Sequence, residues 1–184
     1  MLDALETLRQ TFPDYAKDIK LNLAAVLSDS TLSTDQRWGV AVASAISLRH
    51  AALRAATIAD ARKHVGQPVL DDAAAASVIM AMNNVYYRFR HMVAKPAYTQ
   101  KAPKLRMNRM MQPATNRVDF ELFSLAVSAI HGCQMCVGAH EKTVVGAGLS
   151  EDQVNDAVRI AATFHAATIA LSAIETHVSE ETFG

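Results

Sequence analysis

Only two of the 184 residues are cysteine, and the chain carries no net charge, its 18 lysines and arginines balancing 18 aspartates and glutamates. That balance removes the single-sign field that would hold nucleic acid or an anionic membrane. Two cysteines cannot form the disulfide framework of a small secreted domain; one Cys-x-x-Cys in a reducing compartment points to redox or metal chemistry. The N-terminal MLDALETLRQTF alternates polar and apolar residues without a charged and then apolar leader, so no signal peptide is expected. No uninterrupted apolar run reaches the length of a bilayer span. These absences set the expectation of a cytoplasmic protein that engages neither nucleic acid nor membrane. Strand alternation and letter-for-letter internal repeats are missing too.

What the chain does have is helical spacing, sufficient for one substantial core and too short for two comfortable domains. Leu2, Leu5, Leu8 and Phe12 recur at helical intervals until Pro13. Asp14 is placed to cap a second helix through KDIKLNLAAVL. Ser33 to Gln36 form a capping-box pattern opening a third helix, Thr34 to about Arg49, with Trp38, Val42 and Ile46 as its buried stripe. A fourth helix runs to about His64, where Gly66-Gln67-Pro68 ends it, and Asp71 and Asp72 begin a fifth that reaches Met92. Beyond a proline-bracketed loop, LRMNRMM predicts a short helix and Asn116 or Asp119 starts the next. Gly132 separates that helix from another closed by Gly146 and Gly148, and a second capping box at Ser150 opens the last helix, to about His177. The expected fold is all-α, a single domain over residues 1–184. Its alanine-rich helices leave little bulky surface each, which makes oligomerisation a reasonable way to bury more.

Reactive side chains concentrate in one stretch, Phe120 to Glu141, which holds both cysteines, two of the seven histidines and a carboxylate, Glu121, in an apolar run. If the residues after Gly132 are helical, Cys133 and Cys136 are i,i+3 neighbours, Cys136 and His140 are i,i+4 neighbours, and all three share a face. A disulfide between them then requires a distorted first turn, which suits a working bond better than a staple. Thiol chemistry needs the thiolate, and an ordinary thiol of pKa about 8.5 is only about 3 % ionised at pH 7. The helix N-terminus favours Cys133 as the anion, whereas His140 favours Cys136. As zinc ligands, Cys133, Cys136 and His140 make three of the usual four donors, and no second Cys-x-x-Cys or His-x-x-x-His exists to complete the set. No metal is expected.

Glu121, Cys133 twelve positions later, and Cys-x-x-Cys-x-x-x-His within FELFSLAVSAIHGCQMCVGAHEKT resemble the alkylhydroperoxidase D family of the carboxymuconolactone decarboxylase-like superfamily. DYAKDIKLNL, IMAMNNVYYRFR and LRMN extend the resemblance over nearly the whole chain. It implies a lipoyl-linked thiol peroxidase in which Cys136 attacks the peroxide and becomes a sulfenic acid. Cys133 resolves that acid into the Cys133–Cys136 disulfide, and His140 and Glu121 belong to a proton relay, Glu121 acting through Cys133 or a water. It further implies a partner peroxiredoxin of the alkyl hydroperoxide reductase C type, and dihydrolipoamide as electron donor rather than any tightly bound cofactor. The dihydrolipoamide is carried on an acyltransferase and recharged by dihydrolipoamide dehydrogenase. A homotrimer is implied as well.

One position departs from that family. Its best-known members have a histidine immediately before the second cysteine, and here Met135 stands there, a thioether that neither accepts nor donates a proton usefully. The departure keeps an alternative in view, a lipoyl-to-peroxiredoxin disulfide reductase with little direct peroxidase activity; His131 is a candidate substitute for the missing base. A decarboxylase-like role would need neither cysteine. Elsewhere, His165 reads as a hydrogen-bonded core or interface residue, the run Asn83 to Arg88 as buried amide and phenol hydrogen bonds or an interface, and Lys101, Lys104, Arg106 and Arg109 as a solvated basic face.

Overall fold

The computed structural model describes residues 3 to 182, with side chains as far as Ile174. Leu2 lies outside them. Among the described residues all regular structure is helical: α1 (Asp3–Gln10), α2 (Lys17–Ser28), α3 (Thr34–Leu48), α4 (Ala51–Ala61), α5 (Gln67–Val93), α6 (Pro96–Thr99), α7 (Asn108–Met111), α8 (Arg117–Ile130), α9 (Gln134–Gly146) and α10 (Glu151–Thr182). The all-α expectation holds.

Local capping chemistry sets several of these boundaries. The Ser33 side chain accepts from the Gln36 amide while Gln36 returns the bond to Ser33 N–H, the predicted capping box. Asn116, rather than Asp119, caps α8 by accepting from Asp119 N–H. Ser150 and Gln153 exchange the same reciprocal pair at the head of α10. Other boundaries move. Asp14 begins a 3-10 turn, Asp14–Ala16, and makes no cap for α2. Gly66-Gln67-Pro68 opens α5 instead of ending α4: Gly66 is the cap and Pro68 sits in the first turn, where its missing N–H costs nothing.

Helices α3 and α8 form the centre, packed on each other with α5 and α10 against both, and α9 against α8 and α5. The residues from Trp38 to Ala45 are all buried, as are those from Asp119 to Ser128, so both helices are covered all round. Ile46 is only half-buried, and the single stripe expected for α3 is a whole cylinder. Close approach depends on Gly39, where a Cβ would overlap the Phe123 ring. Buried carboxylates pin the periphery. Asp60 accepts from the Ala4 and Leu5 amides and Lys63, tying α1 to α4. Asp72 accepts from Arg109, the Ala114 and Thr115 amides and the Thr115 hydroxyl, holding the chain between α7 and α8.

By length and composition the stretch Glu151–Ile174 of α10 is apolar enough to cross a bilayer, although Asp156 and Arg159 interrupt it. In the fold this helix packs on α2, α3 and α8, burying Ala157, Ile160, Phe164 and Ala167, the use a core helix makes of such a sequence.

Candidate active site

Gly132, at φ +62°, takes the left-handed conformation that lets the chain leave α8 and turn directly into α9. Cys133 N–H donates back to the Ser128 carbonyl at 3.1 Å, so Cys133 stands as the N-cap of α9 and not within it. The expectation of two cysteines on one helical face is thereby corrected: Cys133 precedes the helix, and Cys136 and His140 share the face. The Cys133–Cys136 disulfide is formed, with Cα atoms 5.3 Å apart.

The two sulfur-bearing residues differ in access. Cys133 is wholly buried, whereas Cys136 is 6 % exposed. Cys136, Met135, Ala139 and His140 of α9 border a cavity of about 240 Å³, whose other walls are Asn83 and Tyr87 of α5 and the thioethers of Met107 and Met110. Cys133 does not border it. The cavity is therefore apolar apart from Cys136, an imidazole, an amide and a phenol.

At its wall, His140 is paired with Glu121, which does not border the cavity. His140 Nδ1 lies 2.6 Å from Glu121 Oε2, and its Nε2 is 3.3 Å from the sulfur of buried Met80. Glu121 is buried because α8 is covered on every side. Its other oxygen, Oε1, lies 3.7 Å from Arg117 Nε one turn earlier. A separate opening bordered by Arg117 and Glu121 lies across Met107 and Met110, which wall both spaces. The carboxylate at Nδ1 orients the ring, and Nε2 then faces the Met80 sulfur while His140 itself borders the cavity. Glu121 thus meets His140 directly; neither Cys133 nor a water is needed to join them.

The remaining sequence candidates sort themselves by location. His131 faces away from Cys136: its Nε2 meets Ser47 Oγ at 2.7 Å, and it borders a different cavity with Ile46, Arg49 and Val78. Burial, together with the positive charges of Arg88, Arg49 and His165, holds its pKa below the ordinary histidine value. His131 is not the substitute for the base missing at Met135. His165 is exposed on α10 beside Ala162 and Val158, which removes the core half of its expectation. Lys101, Lys104, Arg106 and Arg109 are exposed as expected, and Arg109 also reaches buried Asp72 at 2.8 Å. In the Asn83 to Arg88 run, Asn84 Oδ1 accepts from Ser128 Oγ and Arg88 donates to the His131 carbonyl. Met80, Met107, Met110 and Arg117 also stand around the site, outside the sequence candidates. Only Arg117 left a signal, its i,i+4 spacing from Glu121. Among the described residues no three His, Cys, Asp or Glu side chains are grouped as a metal ion would need.

Comparison with known proteins places this arrangement, first at the level of a broad class: residues 96–176 match the carboxymuconolactone decarboxylase family. Over 91 % of its length the chain is 60 % identical to the alkyl hydroperoxide reductase AhpD of Anaeromyxobacter dehalogenans strain 2CP-C, covering 90 % of that protein. It is 49 % identical to the AhpD of Gluconacetobacter diazotrophicus, over 91 % of this chain and 92 % of that one, and 44 % identical to that of Brucella suis, over 94 % and 99 %. The chain belongs to the AhpD family.

Proposed function

We propose that this protein is an antioxidant thiol peroxidase that reduces alkyl hydroperoxides by cycling between the Cys133/Cys136 dithiol and its disulfide. The observation that carries the reading is the asymmetry of access: Cys136 shares an apolar cavity with His140, and Cys133 is sealed behind it. In the reduced protein the Cys136 thiol passes its proton to His140 Nε2. The thiolate attacks the distal peroxide oxygen; the O–O bond breaks, an S–O bond forms, and sulfur gives up two electrons. The departing alkoxide takes the proton back from His140, leaving an alcohol and Cys136 sulfenic acid. Cys133 then attacks that sulfur, water leaves with the Cys133 proton, and the disulfide closes. Glu121 supports the imidazolium while it exists.

Two electrons must return. The reductant in this reading is dihydrolipoamide, free or carried on a lipoylated acyltransferase and recharged by dihydrolipoamide dehydrogenase, with no cofactor bound tightly. The same dithiol would regenerate an alkyl hydroperoxide reductase C-type peroxiredoxin. The reading places a homotrimer in the cytoplasm. A second reading, a lipoyl-to-peroxiredoxin disulfide reductase with little peroxidase activity, is favoured by Met135, which puts a thioether beside Cys136 at the cavity edge.

Rapid mixing of the reduced protein with tert-butyl hydroperoxide, with no partner present, separates the two. Trapping of sulfenic acid is expected on Cys136 in Cys133→Ser and absent in Cys136→Ser. Sulfenic acid blocked by Cys133→Ser alone would reverse the roles, and no reaction of the wild type with the peroxide would favour the reductase.

A further inference from the structure

One polar group in the Cys136 cavity takes no part in the relay just described. Asn83 on α5 borders the cavity and is 4 % exposed. Its amide nitrogen points at two thioethers, Met107 Sδ at 3.1 Å and Met110 Sδ at 3.9 Å, both weak acceptors. Its Oδ1 is buried with no hydrogen-bond partner. A carboxamide held between sulfurs in an otherwise apolar wall is costly to bury and contributes little to packing that leucine would not. The neighbouring Asn84 has no such deficit at its oxygen, which accepts from Ser128. Asn84 does leave its own Nδ2 without a partner, but it does not border the cavity, whereas Asn83 does.

Resting on the peroxidase reading above, we infer that Asn83 binds the O–O–H group of the substrate and aligns it for attack by Cys136. A hydroperoxide carries a donor on its distal oxygen and an acceptor on the adjacent one, and a carboxamide presents an acceptor and a donor side by side. Oδ1, covered by protein in the resting conformation, turns to the cavity with the carboxamide, accepts the distal O–H and fixes that oxygen in front of the sulfur. The amide N–H turns from the thioethers to the proximal oxygen, where negative charge develops as the O–O bond breaks. The distal oxygen keeps its hydrogen and leaves as the sulfenic O–H; the proximal oxygen takes its proton from His140, so Asn83 itself gains and loses nothing. The alkyl group lies along Met107, Met110 and Tyr87. Asn83 thus distinguishes a hydroperoxide from the disulfide and dithiol substrates of the other half of the cycle, which have no O–O–H to read.

The test compares two second-order rate constants on reduced protein by stopped flow, one with tert-butyl hydroperoxide and one with iodoacetamide, which reacts with the same thiolate but needs no alignment of a peroxide. Their ratio cancels the thiolate fraction. For Asn83→Leu the ratio is expected to fall about tenfold or more. Asn83→Asp keeps the shape but lacks the N–H, and it serves if the leucine variant does not fold; the ratio is expected to fall there also. An unchanged ratio in a folded variant, or peroxide and iodoacetamide rates falling together, overturns the inference while leaving the peroxidase reading in place. A wild type that alkylates but ignores the peroxide overturns both.

Discussion

His140 Nδ1 and Glu121 Oε2 meet at 2.6 Å inside the core, joining α9 to α8 across nineteen positions of sequence. Both side chains are buried, and His140 borders the same cavity as Cys136. In the proposed cycle the carboxylate is what makes a buried imidazolium tolerable during thiol activation.

Glu121→Gln keeps the size and an acceptor for Nδ1 but removes the charge. Sulfenic acid formation with tert-butyl hydroperoxide is expected to slow about 100-fold, with little change in the melting temperature. Normal peroxide kinetics in this variant would separate the carboxylate from the chemistry.

Met135 lies at the cavity edge, half-exposed, on the residue before Cys136. Met135→His places a second base there. Peroxide consumption with dihydrolipoamide as donor is expected to rise, because proton transfer by a positioned imidazole contributes about 10²-fold or more where it operates. An unaltered rate would mean that His140 and Glu121 already suffice.

Gly39 of α3 faces Phe123 of α8 where the two central helices touch. Adding one methyl in Gly39→Ala forces the ring or a whole helix to shift, at a cost of about 1–3 kcal/mol. A lower urea midpoint at unchanged slope is the expected result. Alanine is otherwise the better helix former, so a stabilised variant would show that the ring moves freely.

Stability is expected to fall with acid in two stages. Because burial and its cationic neighbours depress His131, the unfolded chain takes up that proton first, so stability present above pH about 6.5 is lost as pH falls toward the folded value. Asp60 and Asp156 follow at lower pH. Burial acts to raise both, but it is outweighed for Asp60 by the Leu5 and Ala4 amides and Lys63, and for Asp156 by Thr31 and Arg159. Both carboxyls are held below the ordinary carboxylate range. Their contribution is present above about pH 3.9 and lost as pH falls through the folded values. Urea unfolding of wild type and His131→Gln at pH 7.5 and 5.5, values chosen to bracket about 6.5, checks the first stage; equal losses in the two proteins would remove His131 from it.

What the sequence by itself determined is what neighbours within a turn or two decide. The caps at Ser33, Asn116 and Ser150 are bonds between residues three apart, and the Cys136–His140 face follows from helical pitch. Gly66-Gln67-Pro68 misled because glycine commonly ends a helix and proline commonly opens one, and the local letters do not say which reading applies. Tertiary structure decided the rest. Covering α8 on all sides turned Glu121 from an ordinary helix glutamate into the buried partner of His140. The left-handed Gly132 put Cys133 ahead of α9 and sealed it, leaving Cys136 at the cavity. The same turn left His131 facing Ser47 and α3. Asn83 of α5 and Met107 and Met110 near α7 reach that cavity from segments far from the cysteines, and no periodicity along one helix encodes how another will cross it.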